Sequence, residues 1–465
     1  MTPTQTVHPE KTGLGALGDR LDGEIVVPGD LNWDEARGAW NLAADQRPAA
    51  VVYPESVDDV VAVVGFARDA GFRLTTQATG HYANSLDSLD DAILVKTSRL
   101  RGLEIDPEAR TARVEAGVLW EEVSTAAAEH GLAGLAGSAP DIGVVGYTLG
   151  GGLGWLARRY GLAANSVLAV EVVTADDRRV RADRDHEPDL FWALRGGGGS
   201  FGIVTAIELA LYPVPEVYAG VLFFPFERAG EVLNAWREWV EDTPVELTSV
   251  GRLMQFPPFP QVPEPLRGQS FAIVEASFIG TEESGAALLQ PLRELGPTMD
   301  TFEMIPIEEL GHLHMDPPQP VPAVGDGFNL VDVTPETLNA LVAVAGPCSG
   351  SPLLSVELRQ LGGAVAEPSS EHGAVGAIDA GFALFAAGMG ADEEMARFVE
   401  ARVTALKAAL RPWTADRRFN FADSPNEGES FFPPETYRGL QWIKAAYDPA
   451  ELFRASHPIR PAARR

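Results

Sequence analysis

Glycine is dense in one short stretch of this 465-residue chain. Six of the twelve residues at positions 143–154 are glycine. Ordering glycine costs backbone entropy, which makes sense where the main chain must approach a ligand closely and direct its amides at phosphates. The stretch has neither the Gly-x-Gly-x-x-Gly unit of a dinucleotide fingerprint nor the Gly-Lys-Ser/Thr end of a P-loop. It favours a nucleotide-binding loop of another kind, with a purely structural glycine turn as the alternative.

A histidine follows a glycine at the end of a predicted strand. Residues 72–76 are predicted to form this strand, which continues through residues 77–80 into His81. A lone histidine is most often a surface or core residue. A loop at a strand end, however, presents its side chains to ligands. His81 is therefore a candidate binding residue, and the structural role stays open.

The second half of the chain has fewer candidates for chemistry. Glu357, Arg359 and Gln360 lie on a predicted strand at residues 353–360, and His312 and His314 lie in a loop flanked by prolines. For each of them an ordinary surface or structural role is the alternative. The two histidines have the spacing of a metal pair, but one loop offers no further ligands, so no metal site is predicted.

The elements that must position these residues are mixed. A strand at residues 50–53 precedes a helix capped by Ser56 and stopped by Gly71, and several short strands follow up to residue 211. The first thirty residues are predicted to be a loosely ordered lead-in. Pro213 and Pro215 interrupt the pattern. After them, strands outnumber helices, which predicts an antiparallel sheet covered by helices and an α+β chain with more than one sheet.

Composition excludes several classes of protein. The net charge of -30 argues against nucleic acid and anionic membranes as partners, because phosphate-binding proteins present a basic face. The single cysteine, Cys348, allows no intrachain disulfide and no cysteine-rich metal site. The sequence shows no basic-then-apolar signal segment and no apolar run of about 20 residues. A cytoplasmic enzyme is expected.

Together these segments resemble the FAD-linked oxidases of the vanillyl-alcohol oxidase superfamily, which have a PCMH-type FAD-binding domain, and specifically the berberine-bridge-enzyme-like branch. The segments that carry the resemblance are Trp40-Asn41, Gly80-His81, residues 137–165, residues 189–202, Asn420-Phe421, Trp442-Ile443-Lys444 and Tyr447-Asp448-Pro449. The resemblance implies a two-part FAD-binding domain at residues 1–213, with its core at about 45–213. A substrate-binding domain follows at residues 214–415, and a C-terminal segment at 416–465 packs back on the FAD-binding domain.

The resemblance also implies how the cofactor is held. In this family the histidine of the Gly-His pair bonds to the 8α-methyl group of the flavin, so FAD attached covalently through His81 is expected. Many relatives form a second bond from a cysteine where this chain has Ala139, so a single attachment is expected here. The cofactor-binding residues implied by the resemblance are Thr76, Gln77, Ala78, Thr79, Gly80, His81, Tyr82, Ser138, Gly143, Gly146, Tyr147, Gly150, Gly151, Gly152, Gly154, Gly202, Ile203, Val204 and Asn420.

One departure from the family affects catalysis. Relatives that oxidise alcohols or phenols often have a tyrosine base where this chain has Phe421, and phenylalanine cannot accept a proton. Either another residue is the base or hydride loss proceeds without one. The candidates for catalytic residues are Glu357, Gln360, His312, His314 and Tyr147.

The function implied by the resemblance is that of an oxidase. It would take a hydride from a C–H bond of a small organic substrate, with O2 as acceptor and H2O2 as product. A secondary-metabolite alcohol or ring carbon is the expected target, and a carbohydrate is the second. Because the usual tyrosine is missing, a non-redox cyclase or eliminase that uses FAD as a scaffold is the alternative from another class. The sequence does not identify the substrate, its stereochemistry, the electron acceptor or the oligomeric state.

Overall fold

The computed structural model describes residues 13–86, 88–415, 419–424 and 426–463. Within these ranges the chain forms three β-sheets with helices between and around them. This confirms the predicted α+β class with more than one sheet. None of the helices in the described ranges is long and apolar enough to cross a bilayer.

With one exception of 14 residues, the helices of the first half of the chain have nine residues or fewer, and those of the second half have eleven or more. In chain order they are α1 (Leu14–Gly18), α2 (Trp33–Ala36), α3 (Val57–Ala70), α4 (Trp120–Ala128), α5 (Val144–Leu149), α6 (Ala157–Tyr160), α7 (Pro188–Leu194), α8 (Ala229–Val240), α9 (Glu282–Arg293), α10 (Pro335–Ala345), α11 (Glu393–Leu410) and α12 (Pro434–Tyr447).

The first sheet carries the predicted strand that leads to His81. Its strands are β1 (Glu24–Val26), β2 (Ala50–Tyr53), β3 (Arg73–Gln77) and β4 (Ala92–Lys96), in the order β1-β2-β4-β3. The helix α3 connects β2 to β3. It begins after Ser56, whose side chain accepts a hydrogen bond from the Asp59 amide at 3.2 Å, and ends at Gly71, whose φ is 79°. Both ends are where the sequence predicts them.

The prediction of a loosely ordered lead-in is wrong from Gly13 onward; residues 1–12 lie outside the described residues. Leu14 and Leu17 of α1 pack into the core, and β1 pairs with β2 in an antiparallel register. These elements contain only five and three residues. Such short elements show no hydrophobic period in the sequence, because they are stabilised by tertiary contacts rather than by local propensity.

The second sheet is antiparallel and contains the remaining strands of the first half of the chain. Its order is β5-β6-β9-β7-β8. Its strands are β5 (Leu103–Asp106), β6 (Thr111–Glu115), β7 (Val167–Val173), β8 (Arg179–Asp183) and β9 (Ile203–Ala210). The glycine-rich stretch at residues 143–154 lies between β6 and β7 in the chain and contains α5.

The third sheet confirms the predicted antiparallel sheet covered by helices. Its main order is β13-β10-β12-β11-β16-β17-β15, and β14 pairs with β10. Its strands are β10 (Glu216–Pro225), β11 (Leu247–Gln255), β12 (Ser270–Phe278), β13 (Met299–Asp300), β14 (Glu303–Pro306), β15 (Ala323–Leu330), β16 (Leu353–Gln360) and β17 (Phe382–Met389). Alternate residues of β11, β12 and β16 enter an apolar core with α8, α10 and α11. The residues between them face the first half of the chain.

The chain after α12 returns to the first sheet. The Leu74 amide donates to the Leu452 carbonyl at 2.8 Å, and the Arg454 amide donates to the Leu74 carbonyl at 2.7 Å. Buried Lys444 holds the turn, since its Nζ atom lies 2.5 Å from Asp448 Oδ2. The second sheet ends at Ala210 and the third begins at Glu216, on either side of the predicted boundary. The division into domains 1–213, 214–415 and 416–465 stays a prediction.

Candidate cofactor and substrate site

A cavity of about 320 Å³ is enclosed by segments from all parts of the fold. Its wall is built from residues 75–83, part of the glycine-rich stretch, four residues between positions 198 and 204, Arg359 of β16 and part of the C-terminal segment. The segments of the glycine-rich stretch and of His81, which are distant in sequence, therefore meet at one site. This is the juxtaposition that a nucleotide-binding interpretation of both requires.

His81 lies in the wall of this cavity. Its ring stacks on Trp40 with the centroids 4.0 Å apart, and its Nδ1 atom lies 2.8 Å from Thr79 Oγ1. Its Nε2 atom is 3.4 Å from Asp141 Oδ1, but the alignment does not make a hydrogen bond. This buried nitrogen thus has no hydrogen-bond partner among the described residues. The ring is therefore held by Trp40, Thr79 and Asp141 in the cavity wall, where a bound cofactor would meet the side chain.

Asn420 fastens the glycine-rich stretch to the C-terminal segment. Its Oδ1 atom accepts a hydrogen bond from the Gly152 amide at 2.9 Å, and its Nδ2 atom donates to the Tyr147 carbonyl at 3.1 Å. The side chain also lines the cavity. It can therefore touch a ligand and hold the loop that surrounds that ligand.

The glycines of this stretch have two kinds of surroundings, close packing against the protein or open space in the cavity. A Cβ atom at Gly154 would lie 1.8 Å from the Ala136 carbonyl oxygen, so close packing of the protein excludes any side chain there. Gly146 lines the cavity, and a Cβ atom there would meet no protein atom within 4 Å. Gly146 therefore borders open space in the cavity, which leaves room for a ligand close to the main chain. The structural and ligand-binding interpretations of the stretch thus both apply, at different positions.

Most of the predicted cofactor-binding residues lie in the cavity wall. These are Thr76, Gln77, Ala78, Thr79, Gly80, His81, Tyr82, Ser138, Gly143, Gly146, Tyr147, Gly150, Gly202, Val204 and Asn420. Gly151, Gly152, Gly154 and Ile203 do not line the cavity. Successive residues of a strand point to opposite faces, so Val204 faces the cavity while Ile203 packs in the core. Contact of these residues with FAD stays a prediction.

The C-terminal segment supplies wall residues that the sequence analysis missed. Arg454, Ser456 and His457 line the cavity beside the predicted residues, and so do Gly198 and Gly199. The hydroxyl oxygen of Tyr82 lies 2.6 Å from His457 Nε2. The glycine pair belongs to a cluster visible in the sequence. Nothing in the local sequence pattern indicates that residues 454–457 return to β3, because this pairing spans nearly 400 positions.

The predicted catalytic candidates are mostly outside the cavity. Tyr147 lines it, whereas Gln360 donates hydrogen bonds to groups at the C-terminal end of α8 and His312 is exposed. His314 and Glu357 are buried, with residue exposures of 1% and 2%, and do not reach the cavity wall. No group of three or more His, Cys, Asp or Glu within the described part of the chain could hold a metal ion.

His314 and Glu357 belong to a buried charged cluster of five residues, which are Arg252, Glu275, His314, Glu357 and Arg359. The two ring nitrogens of His314 each lie 2.5 Å from a carboxylate oxygen, Glu275 Oε2 for Nδ1 and Glu357 Oε2 for Nε2. Arg252 binds Glu275 at 3.1 Å, and Arg359 donates from Nε to Glu357 at 2.7 Å. Residue 252 pairs with residue 357 across β11 and β16, which places these side chains on the same face.

The electrostatics of this cluster decide what its members can do. Burial and Arg252 lower the pKa of His314, but the carboxylates of Glu275 and Glu357 outweigh them and raise the pKa to about 9. Burial raises the pKa of Glu357, but Arg359 and His314 outweigh it and hold that pKa below its usual range. His314 is therefore protonated at neutral pH and has no lone pair with which to accept a proton. Glu357 is ionised but already accepts two charge-assisted hydrogen bonds.

The cavity itself is lined by cations. Arg359 and Arg454 line it, whereas no aspartate or glutamate in the described ranges does, although the chain has a net charge of -30. Positive side chains and main-chain amides are what a pyrophosphate requires. With the unbonded nitrogen of His81 and the empty space at Gly146, these residues fit an FAD.

Comparisons with known proteins agree with this fit. A family model described as an FAD binding domain matches residues 48–183. The chain is 26% identical to (R)-6-hydroxynicotine oxidase of Paenarthrobacter nicotinovorans, over 95% of this chain and 97% of that one. It is 31% identical to xylooligosaccharide oxidase of Thermothelomyces thermophilus, over 46% and 45% of the two chains. The structure of Physcomitrella patens BBE-like 1 has a TM-score of 0.85 and 20% identity, covering 97% of this chain and all of that one, and so has the same fold.

Proposed function

We propose that the chain is an FAD-linked oxidoreductase of the berberine-bridge-enzyme-like branch, and that it is an oxidase that takes a hydride from a C–H bond of a small organic substrate. O2 is the proposed electron acceptor, and H2O2 is the product. The observation that carries this proposal is the shared cavity, whose wall includes His81, the glycine-rich stretch and Arg359 of the third sheet. A substrate bound against the third sheet would lie next to a flavin bound by the first half of the chain.

The proposed mode of cofactor binding follows from the residues of the cavity wall. FAD, when bound, supplies the hydride acceptor. Residues 76–82 and the glycine-rich stretch hold it, and His81 forms the only covalent bond, because Ala139 stands where relatives have a cysteine. Trp40 and Thr79 keep the His81 ring in place for that bond.

We further propose that no carboxylate acts as a base at the reacting carbon. In the part of the chain that the structure describes, no aspartate or glutamate lines the cavity, and Phe421 has no ionisable group. Tyr147 also lines the cavity, but its hydroxyl oxygen is buried and lies beside Gly154, which is not part of the wall. The proton on the substrate's oxygen or nitrogen therefore passes to water in the cavity rather than to Glu357 or His314.

The proposed partners are a small-molecule substrate and O2, with no nucleic acid and no membrane. A secondary-metabolite alcohol or ring carbon is the proposed target, and the cytoplasm is the proposed location. A carbohydrate is the second candidate substrate, supported by the similarity to a xylooligosaccharide oxidase. The net charge of -30 supports the exclusion of polyanionic partners.

Anaerobic mixing tests the oxidase proposal. A panel of small alcohols, phenols, amines, hydroxy acids and oligosaccharides is added to the holoenzyme without oxygen, and flavin absorbance is followed. We expect at least one compound to bleach the flavin, and admission of air to restore the yellow colour with one H2O2 for each substrate oxidised. A compound that is converted while the flavin stays yellow would instead support the non-redox cyclase or eliminase. Bleaching without H2O2 on admission of air would exclude O2 as the acceptor.

A further inference from the structure

Arg359 is the only charged side chain that the third sheet contributes to the cavity wall, among the residues that the structure describes. Its Nε atom donates to Glu357 Oε1 at 2.7 Å, and its Nη2 atom donates to Ser138 Oγ at 2.9 Å. These two bonds fix the guanidinium plane. The Nη1 atom has no hydrogen-bond partner in the described part of the chain. The side chain is 10% exposed, and this exposed part faces the cavity.

The cluster to which Arg359 belongs has more basic than acidic members. With His314 protonated, the five residues of the buried charged cluster comprise three cations and two anions. Burial raises the pKa of the nearby Asp316. Arg359 is the member of the cluster that lines the cavity, so its positive charge is the one that a ligand in the cavity meets. A buried positive charge of this kind is stabilised by an anion that binds to it.

Apolar groups stand next to this charge. The Arg359 guanidinium carbon lies 5.4 Å from the centroid of the Phe421 ring, which also lines the cavity. Phe421 packs against the apolar cluster that contains Leu153, another wall residue. A ligand that suits this corner has an apolar body for Phe421 and Leu153 and an anionic end for Arg359.

The second arginine of the wall lies elsewhere in the cavity. Arg454 follows the segment that pairs with β3, and its guanidinium binds Asp91 at 2.8 Å. Arg359 extends from β16 and binds Ser138. Arg454 thus lies beside the first sheet, where the phosphates of FAD are proposed to bind. Arg359 lies in the third sheet, where the substrate is proposed to bind.

We propose that the substrate of this enzyme is an organic monoanion, and that its carboxylate binds the Nη1 atom of Arg359 while its apolar part contacts Phe421. This inference rests on the proposed function, since it names the class of compound that the same site oxidises. Nη1 is the guanidinium nitrogen without a hydrogen-bond partner in the described part of the chain, and a carboxylate oxygen is a suitable acceptor for it. Arg359 is a binding and specificity residue here, and it takes no part in proton transfer.

Binding of non-reacting probes tests this inference without turnover. Benzoate and phenylacetate are titrated into the holoenzyme, and the change in flavin absorbance gives their dissociation constants; benzamide and phenylacetamide are the neutral isosteres. We expect at least one acid to bind about tenfold to a hundredfold more tightly than its amide, as for a hydrogen bond to a charged group. In Arg359→Gln that preference should disappear, and in Arg359→Lys it should be partly kept. Arg159→Gln, which removes a half-exposed arginine outside the cavity wall, should keep it.

Several outcomes would overturn the inference. Equal affinities of acids and amides for the wild type would do so, and so would absence of binding by either acid. An unchanged preference in Arg359→Gln, with a shifted flavin spectrum, would assign Arg359 to the cofactor instead. Tighter binding of phenyl phosphate than of benzoate would assign the site to a phosphate. Flavin content and thermal unfolding establish that each variant is folded. An acid preference without any H2O2-forming substrate would refute the oxidase and leave the anion site standing.

Discussion

At the scale of single residues, two histidines that were both candidates in the sequence have different surroundings in the structure. His81 keeps one buried nitrogen without a hydrogen-bond partner among the described residues, in the wall of the cavity. His314 has both ring nitrogens bound to carboxylates and lies behind the wall. His81 therefore lies where FAD is proposed to bind, whereas both ring nitrogens of His314 are engaged by the carboxylates around it.

The tether at His81 can be tested on a denaturing gel. We expect yellow fluorescence to stay with the unfolded wild-type chain, because a covalent bond survives denaturation. His81→Ala should lose this fluorescence, since no cysteine stands at position 139 to form a second bond. His312→Ala, which changes an exposed histidine, is the matched control and should keep it. Flavin that washes out of the wild type would refute the tether while leaving FAD binding intact.

The pKa of His314 predicts how stability depends on pH. The carboxylates raise this pKa to about 9 in the folded chain, against 6.5 for the free group. A raised pKa contributes stability that is fully present below about pH 6.5 and is lost as pH rises through about 9. Wild type should therefore exceed His314→Gln in stability at pH 6 by more than at pH 10, measured by urea denaturation. His312→Gln should show no such trend. A gap that widens toward pH 10 would mean that His314 is neutral in the folded chain.

At the scale of elements, the glycine-rich stretch combines a short helix with a loop that encloses the cavity. Ordering its glycines costs backbone entropy, and the sequence alone does not show which interactions offset that cost. In the structure, close packing excludes a side chain at Gly154, whereas Gly146 borders open space. Asn420 stabilises this loop through its two hydrogen bonds and also lines the cavity.

Alanine substitutions separate these two causes. Gly154→Ala should destabilise the chain by at least about 2 kcal/mol, because the new methyl group would overlap the Ala136 carbonyl. Gly146→Ala should leave stability unchanged or raise it by about 0.5–1 kcal/mol, since alanine favours the helix α5. It should nevertheless reduce the flavin content, because the methyl group projects into the cavity. Thermal unfolding of the flavin-free chain and the ratio of flavin to protein measure the two effects. Full flavin content in Gly146→Ala would contradict a ligand at this position.

At the scale of the whole molecule, the site depends on how the third sheet lies against the first half of the chain. The buried charged cluster sits on the sheet face away from α8, α10 and α11, where the two halves meet. Arg158 of α6 joins these halves. It donates from Nε to the Leu247 carbonyl at 2.7 Å, and its Nη1 atom donates to the Leu361 carbonyl.

The neighbouring arginines 158 and 159 provide a matched test of this interface. Arg158→Met should lower the free energy of unfolding by about 3 kcal/mol, because buried carbonyls lose a charged donor. Arg159→Met should change it by less than about 1 kcal/mol, since Arg159 is half-exposed and its partner Glu246 lies 3.7 Å away. Guanidinium denaturation measures both variants. Equal effects of the two substitutions would show that Arg158 does not hold the halves together.

Some of the fold was accessible from the sequence, and the misses have physical causes. The helix between Ser56 and Gly71 was predicted at both ends because its capping residues act locally. The elements α1 and β1 were missed because they are too short to have a period. Glu357 and Gln360 were both candidates on one strand, but Gln360 points to the helices and Glu357 to the cluster. Alternation along a strand tells which residues share a face and does not tell what that face contacts.

The sequence by itself predicted FAD as the cofactor, and a family model of an FAD binding domain matches residues 48–183. The prediction was possible because the glycine-rich stretch and the Gly-His pair are local patterns that can be recognised without the fold. The sequence also showed Phe421 at a position where a tyrosine base was expected from the resemblance. Only the tertiary structure decided that His314 and Glu357 neutralise each other behind the wall and that Arg359 faces the cavity. These outcomes depend on strand register across β11, β12 and β16 and on a loop that folds over them. Such contacts join residues up to about a hundred positions apart, and no local pattern encodes them.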